Sequence, residues 1–480
     1  MTEARFPRIA SMKTAAAFRA HLDASGISLP FVDALAPAGS SPLAAPLTVN
    51  GTTVGNRFCI LPMEGWDATL DGAPGDLTIR RWRNFGRSGA KLIWGGEAVA
   101  VRPDGRANPN QLVISDTNKG ALADLRSALV GAHVERFGTS SADDLHIGLQ
   151  LTHSGRFARP TAEGPRPLAA YRHPILDGRF HAGVEVLSDG DLDAIAEDFI
   201  RAARIARDIG FRFVDIKHCH GYLLHELLSA RSREGRYGGS LENRTRFLRD
   251  VIDGIRACAP GLEIGVRLSA FDVVPFRKGS DGRGEPETDP AGYGHAFGLV
   301  QHDNMDAALD DARAVLRMLS ARGVKWICIT GGSPYYCPHV QRPAAFPPSD
   351  GYEPPEDPLR GVARQIDATA RLKTEFPEMA FVGSGYTYLQ EWLPHVAESA
   401  IRSGSTDFVG LGRVVLSYPE LPADVLSGAP LRRKGICRTF SDCTTGPRLG
   451  LVSGCFPLDP FYVAHPDAIR LRAHKAPGQP

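Results

Sequence analysis

Short apolar runs alternate with amphipathic helical patterns along most of the chain. Eight of the runs have the length and composition of strands, and the segments between them carry apolar residues at helical spacing. Eight strands alternating with helices favour a closed α/β structure, the (β/α)₈ TIM barrel, over an open sheet. The predicted strands are residues 58–63, 91–98, 146–153, 211–217, 263–269, 325–330, 380–385 and 407–413.

The segments between the strands differ in regularity. Residues 189–209 form the clearest helical pattern, with Ser188 and Asp191 as a capping box and Gly210 as its end. The connections 272–306 and 331–358 are too long for ordinary loops. Both follow strands, so we expect them over the C-terminal face of the barrel, as pocket walls or alternatively as an oligomer contact.

The predicted barrel, residues 46–430, has an extension at each end. Residues 1–45 are predicted to be a leading arm with a short helix at 14–25, which caps one end of the barrel. Residues 431–480 contain cysteines and are expected to pack on the barrel.

Composition and charge exclude several classes of function. The 480-residue chain has a net charge of +1, which gives no electrostatic case for binding nucleic acid or an anionic membrane. No apolar run is long enough to span a membrane, and the first residues lack the apolar core of a secretory signal. Eight cysteines without regular spacing are typical of reduced thiols, so we expect a cytoplasmic protein with a small-molecule substrate.

Candidate chemistry is densest where the fourth strand ends. Lys217, His220 and Tyr222 follow the apolar run 211–216. A barrel presents its catalytic groups at the C-terminal ends of its strands, so these three hydrogen-bond donors are expected to converge there.

Glycine-rich turns after the last two strands indicate a phosphate site. Gly383 and Gly385 follow strand seven, and Gly412 and Arg413 follow strand eight. Backbone N–H groups at such turns bind phosphate, and barrels commonly hold one after these two strands.

The sequence 210–247 resembles a known family. Its KHCHGY segment and the run REGRYGGSLENRTRF resemble the Old Yellow Enzyme family of FMN-dependent oxidoreductases. The resemblance implies FMN at the C-terminal face, NAD(P)H as electron donor, and hydride transfer from flavin N5 to the activated C=C bond of an α,β-unsaturated carbonyl compound. By position, Lys217 and His220 would hold the substrate oxygen and Tyr222 would protonate carbon.

Lys217 departs from the family pattern, which has histidine at this position. A protonated lysine can still polarise a neutral carbonyl, and it also favours an anionic oxygen such as a carboxylate. The alternatives are a lysine of lowered pKa that acts as a base, or one neutralised by Asp215 or Glu64.

The resemblance also assigns residues around the flavin ring. Pro62, Met63 and Glu64 would lie beneath the ring, with Glu64 near its reactive edge or paired instead with Lys217 or an arginine. Ala98 would permit close approach of the backbone, and Gln150 would bind the pyrimidine edge.

Arg267 is a further residue to which the resemblance gives a flavin role. It would face the N1/O2 edge, where negative charge develops on reduction. A buried arginine at a strand end needs such a partner.

The tail poses a separate question about metal. One branch of the family carries an iron–sulfur cluster there, held by four cysteines, whereas this chain has Cys437, Cys443 and Cys455, with Phe440 at the position of the missing ligand. We therefore predict no metal, with a cluster or a structural zinc on these thiols as alternatives.

Two other functions remain open from the sequence. One is the reverse direction, in which an amine or related small molecule is oxidised or demethylated by hydride transfer to FMN. The other is a flavin-free barrel that only binds a ligand. The substrate and the oligomeric state, including a possible homo-oligomer, are not determined by these patterns.

Overall fold

A closed parallel barrel forms the body of the protein. The computed structural model describes residues 6–289, 292–301 and 304–475. The barrel strands are β1 (Phe58–Ile60), β2 (Leu92–Ile93, resumed as Ala98–Ala100), β3 (His146–Thr152), β4 (Phe213–Ile216), β5 (Glu263–Phe271), β6 (Trp326–Gly331), β7 (Ala380–Gly383) and β8 (Phe408–Leu411). All eight predicted strands are therefore confirmed, most of them with shorter bounds.

Strand pairing closes the sheet without a free edge. Each strand pairs in parallel with its neighbour in sequence, and β8 returns to β1 with Val409 opposite Phe58. β2 is interrupted at Gly95 and Gly96, whose φ angles are +113° and +57°. A side chain on Gly95 would lie 2.4 Å from the backbone nitrogen of Gln150 on β3, so glycine is needed for this close approach.

In the part of the chain that the structure describes, eight helices form the outer layer. They are α1 (Asp76–Gly86), α2 (Lys119–Phe137), α3 (Asp189–Asp208), α4 (Arg246–Cys258), α5 (Asp310–Ala321), α6 (Pro358–Glu375), α7 (Leu393–Arg402) and α8 (Leu421–Leu426). The capping box predicted for α3 is present, because Ser188 and Asp191 each accept a hydrogen bond from the other's backbone N–H.

Shorter helices and strand pairs lie outside the barrel strands and the eight helices. Further helices are Ala15–Ala24, Leu223–Leu228, Leu241–Arg244, Met305–Ala308, Pro338–Gln341, Val414–Ser417, Asp442–Arg448, Pro460–Val463 and Asp467–His474. Two antiparallel hairpins pair Leu47–Val49 with Thr52–Val54 and Phe276–Lys278 with Gly284–Pro286, and Leu168–Ala169 pairs with Glu185–Val186 in parallel.

The leading arm packs on the helix layer. Phe18 stacks on Trp392 with ring centroids 4.8 Å apart, and the Trp392 indole donates to the carbonyl of Met12. Val49 and Val54 of the first hairpin instead join the apolar cluster of the barrel interior. The arm is therefore anchored next to the start of α7, and its role as a cap of one barrel end stays a prediction.

The two long connections lie beside the C-terminal ends of the strands but contribute differently. Several residues of 331–358 line the central cavity, as predicted, whereas no described residue of 272–306 does. The latter instead line a second cavity together with His339 and Arg364. Among the described residues, no helix is both long and apolar enough to cross a lipid bilayer.

A buried carboxyl anchors the connection after β6 to the end of β5. Asp272 is 2% exposed and accepts hydrogen bonds from the Tyr336 hydroxyl at 2.6 Å and from the backbone N–H of Val273 at 2.8 Å. Burial raises the pKa of Asp272 to about 7 from its ordinary value of 3.8.

This raised pKa predicts a pH-dependent stability. Between pH 3.8 and 7 the native carboxyl keeps a proton that the unfolded chain releases, so the contribution of Asp272 to stability falls as pH rises through this window. The full loss above that window is on the order of 4 kcal/mol.

We expect Asp272→Asn to remove the effect. The difference in urea-unfolding free energy, wild type minus variant, should fall between pH 4 and pH 8, while the exposed Asp253→Asn control should show no such trend. A constant difference across this range would show that Asp272 does not titrate there.

Candidate active site

A central cavity of about 230 Å³ lies at the C-terminal ends of the barrel strands. Its wall is built from the ends of β1, β4, β5, β7 and β8, the connection after β6, and the C-terminal extension. Ten of the predicted site residues line it: Pro62, Met63, Glu64, Lys217, His220, Tyr222, Arg267, Gly385, Gly412 and Arg413. The predicted catalytic and flavin-binding groups are therefore brought together.

Lys217 is a buried cation on this wall. Its side chain is 2% exposed, and its Nζ donates to Oε1 of Glu64 at 3.0 Å. The same Nζ lies 4.1 Å from the ring centroid of Tyr222, a favourable cation–π contact. Lys217 is thus paired with Glu64, one of the two carboxylates that the sequence offered.

Asp215, the other carboxylate, has different partners. Its Oδ2 accepts from the Trp94 indole at 2.8 Å and the Gln150 amide at 2.6 Å, and its Oδ1 accepts from the backbone N–H of Arg267 at 2.6 Å. Burial raises the pKa of Asp215 to about 6. The hydrogen bonds of Asp215 therefore connect β4 with β2, β3 and β5.

Gln150, Ala98 and Gly383 are the predicted flavin residues that do not line the cavity. The buried Gln150 donates its amide N–H to Asp215. Ala98 pairs with Gln150 in the sheet. Their proposed contacts with the flavin stay a prediction.

His220 is held in an unusual backbone conformation. Its φ of +69° is uncommon for a residue with a side chain. Ser269 accepts from its N–H at 3.1 Å, and the Ser333 hydroxyl donates to its carbonyl at 2.7 Å. These two bonds fix the strained turn that presents the ring.

The imidazole of His220 is neutral at pH 7. Burial, together with the nearby charges of Arg267 and Lys217, holds its pKa well below 6.5. The amide of Gln341 donates to Nε2 at 3.0 Å, so the neutral ring carries its proton on Nδ1. His220 can therefore donate one hydrogen bond through Nδ1.

Tyr222 and Tyr335 form a pair of hydroxyls on the cavity wall. Their Oη atoms are 2.8 Å apart, and the Tyr335 ring stacks on Phe157 with centroids 4.1 Å apart. Burial, with the negative charge of Glu64, raises the pKa of Tyr222 well above 10, and burial raises the pKa of Tyr335 to about 12. Both hydroxyls keep their protons at neutral pH.

Two arginines converge near the turns after β7 and β8. Arg413 donates through Nη2 to the carbonyl of Pro343 at 2.6 Å, and Arg342 donates to the hydroxyl of Thr444. Ser384 and Gly385, whose φ is +96°, form the adjoining turn. The arrangement suits a phosphate, because the arginines and the open turn offer several donors to one anion.

The amino-acid sequence places the chain among known enzymes. Residues 42–283 match the NADH:flavin oxidoreductase / NADH oxidase family. The chain belongs to this family. It is an FMN-dependent oxidoreductase, and the resemblance to the Old Yellow Enzyme group is confirmed.

Curated relatives in this family include NADPH dehydrogenases. That of Geobacillus sp. (strain WCH70) is 28% identical over 390 residues, which cover 79% of this chain and 92% of the relative. That of Bacillus subtilis (strain 168) is 33% identical over 241 residues, covering 48% and 64% of the two chains.

Solved structures share the fold. They include 2-naphthoyl-CoA reductase in complex with 2-naphthoyl-CoA, with a TM-score of 0.65, 18% identity and coverage of 90% of this chain and 58% of that one. Morphinone reductase in complex with tetrahydroNAD has a TM-score of 0.55, 21% identity and coverage of 81% and 92%. Histamine dehydrogenase from Rhizobium sp. 4-9 has a TM-score of 0.61, 20% identity and coverage of 88% and 52%.

The cavity provides what the family's FMN requires. On the cavity wall, three arginines have a buried guanidinium nitrogen without a hydrogen-bond partner among the described residues: Arg267 (Nε), Arg342 (Nη2) and Arg413 (Nη1). Unpaired buried donors are costly, so these three favour an anionic ligand. Arg267 would face the ring, and Arg342 and Arg413 the phosphate.

An iron–sulfur cluster is not matched by the tail. Cys437, Cys443 and Cys455 are free thiols, and burial raises the pKa of each. The ring of Phe440, at the position of a fourth ligand, lies 5.5 Å from that of Phe346. Within the described ranges no group of three or more His, Cys, Asp or Glu side chains is arranged to hold a metal ion.

Sequence reasoning missed the wall opposite the strand ends. Tyr335, Gln341 and Arg342 come from the connection after β6, and Thr444 and Arg448 come from the extension. The length of the connection predicted its position, but no periodicity identified which of its side chains face the cavity. The tail offered only its cysteines as a signal.

Proposed function

We propose that this oxidoreductase reduces the activated C=C bond of an α,β-unsaturated carbonyl compound with NAD(P)H as electron donor. The observation that carries the proposal is a protonated tyrosine beside two cavity-lining hydrogen-bond donors. Tyr222 is that tyrosine, and Lys217 and His220 are the donors. Family relatives named NADPH dehydrogenase support the choice of electron donor.

Lys217 and His220 would bind the carbonyl oxygen. Lys217 Nζ has N–H groups beyond the one used by Glu64, and His220 offers Nδ1–H. Donors fixed on an oxygen that gains negative charge stabilise the transition state more than the ground state. They would therefore lower the barrier to hydride arrival at the β-carbon.

Tyr222 would supply the proton. Bound FMN would supply the redox chemistry, with hydride passing from NAD(P)H by way of the flavin to the β-carbon. The Tyr222 hydroxyl would protonate the α-carbon, so that one hydride and one proton saturate the bond. The Tyr335 hydroxyl, 2.8 Å away, would donate to the resulting tyrosinate and stabilise it.

The direct test is product formation. Under anaerobic conditions we expect NADPH oxidation to depend on 2-cyclohexen-1-one and to yield an equal amount of cyclohexanone, measured by gas chromatography. NADPH consumption that proceeds without cyclohexanone would reject the proposal.

Oxidation of an amine by FMN is the second candidate. Glu64 favours it, as a carboxylate on the cavity wall that could attract an ammonium group, and proteins of this fold include histamine dehydrogenase. Lys217 opposes it, because its cation lies 3.0 Å from that carboxylate. Bleaching of the flavin by amines but not by NADPH would select this candidate.

A further inference from the structure

The charge of Lys217 is balanced inside the cavity itself. Among the described residues, Glu64 is the only acidic side chain on the cavity wall. Its Oε1 lies 3.0 Å from Lys217 Nζ. Asp215 does not share this cation, because both its oxygens accept hydrogen bonds from Trp94, Gln150 and Arg267. Lys217 and Glu64 together thus present a dipole with no net charge.

The Glu64 carboxylate is held in place by its own turn. Its Oε2 accepts from the Trp66 indole at 3.1 Å, and Trp66 has a φ of +52°, a costly conformation for a bulky residue. The backbone N–H of Gly65 donates to Glu97 at 3.0 Å, and Glu97 pairs with Arg81 at 2.7 Å. A carboxylate fixed in this way stays beside Lys217.

The remaining cavity cations are either paired or suited to the flavin. Arg448 pairs with Asp350 at 2.6 Å. Arg267, Arg342 and Arg413 carry the unpaired nitrogens that suit the flavin and its phosphate. Lys217 is therefore the cation best placed for the substrate oxygen.

We propose that Glu64 determines the charge selectivity of the site, so that neutral carbonyl compounds are preferred over carboxylates. This inference rests on the proposed function. A neutral carbonyl accepts hydrogen bonds from Lys217 and His220 and leaves the Lys217–Glu64 pair intact. A carboxylate in the same position would lose water and meet the negative charge of Glu64, which cancels the attraction of Lys217 at low local dielectric.

Matched esters test this selection by kinetics. Dimethyl fumarate and monomethyl fumarate carry the same activating ester and differ by one negative charge. We expect wild type to have the higher kcat/KM with dimethyl fumarate. Glu64→Gln should shift the ratio toward monomethyl fumarate by about tenfold or more, because the isosteric amide leaves the Lys217 charge unopposed.

Two variants serve as controls. Glu185→Gln, at an exposed glutamate off the cavity wall, should leave the ratio as in wild type. Lys217→Met in the Glu64→Gln background should cancel the gain for monomethyl fumarate. A wild-type preference for the monoanion, or an unchanged ratio in a folded, FMN-bound Glu64→Gln, would overturn the inference.

A binding measurement separates this inference from the proposed function. Calorimetric titration of the FMN-loaded protein with benzamide and benzoate requires no turnover. We expect Glu64→Gln to bind benzoate about tenfold or more tightly than wild type does, relative to benzamide. If neither fumarate ester is reduced, the proposed function fails. The shift in benzoate affinity would still support charge selection by Glu64 in that case. The absence of the shift would overturn charge selection by Glu64.

Discussion

Tyr222→Phe is expected to slow the reoxidation of the reduced enzyme by an enone about 100-fold or more, the usual contribution of a positioned general acid. The change removes the hydroxyl that would protonate the α-carbon. Reduction by NADPH needs no proton from this residue, so its rate should stay close to that of wild type. Anaerobic stopped-flow absorbance of the flavin measures the two half-reactions separately.

Tyr335→Phe is the matched control for this experiment. It deletes the neighbouring hydroxyl, 2.8 Å from that of Tyr222, and leaves the proposed acid in place. We expect a smaller loss, confined to the same half-reaction. If Tyr222→Phe slows both half-reactions equally, Tyr222 is not the acid.

Arg267→Met is expected to weaken FMN binding about 10- to 150-fold. The Nε of this buried guanidinium has no hydrogen-bond partner among the described residues, and its side chain lines the cavity. A hydrogen bond from a charged group contributes about 1.5–3 kcal/mol, which converts to that loss in affinity.

Titration of the apoprotein with FMN, followed by quenching of flavin fluorescence, measures this effect. Arg371→Met, at an exposed arginine on α6, is the control and should bind FMN as wild type does. Equal affinities for Arg267→Met and wild type, with an unchanged flavin reduction potential, would remove Arg267 from the flavin site.

The barrel was predictable because its signal is local. Each strand is an apolar run between helical patterns, so all eight were found from the sequence. Their ends were less certain, since the pattern continues past the last paired residue. The chain 211–217 illustrates this, because β4 begins only at Phe213 and its regular pairing ends at Ile216, although the Lys217 N–H still donates to the carbonyl of Leu151 on β3.

The partners of the two polar side chains at the end of this strand were harder to predict. The period-2 pattern placed Asp215 and Lys217 on one face. In the structure Asp215 is bonded within the barrel to Trp94 and Gln150, whereas Lys217 reaches Glu64. Strand periodicity predicts the face on which a side chain lies but not its partner, so the sequence could not assign these two carboxylates.

The far wall of the cavity depends on contacts that no local pattern encodes. Arg342 bonds Thr444, 102 residues later, and Ser349 bonds Thr445, 96 residues later. The two segments lie far apart in the sequence, so their pairing follows only from the folded chain. The cysteines of the tail allowed a prediction about metal binding, but nothing in the sequence indicated that the tail forms part of the cavity wall.

The measurement that tests the central claim most directly is an anaerobic absorbance spectrum of the purified protein before and after addition of NADPH, and then of 2-cyclohexen-1-one. We predict flavin bands that bleach with NADPH and return with the enone. A protein that shows no flavin bands, even after reconstitution with FMN, would contradict the assignment of this cavity as an FMN site.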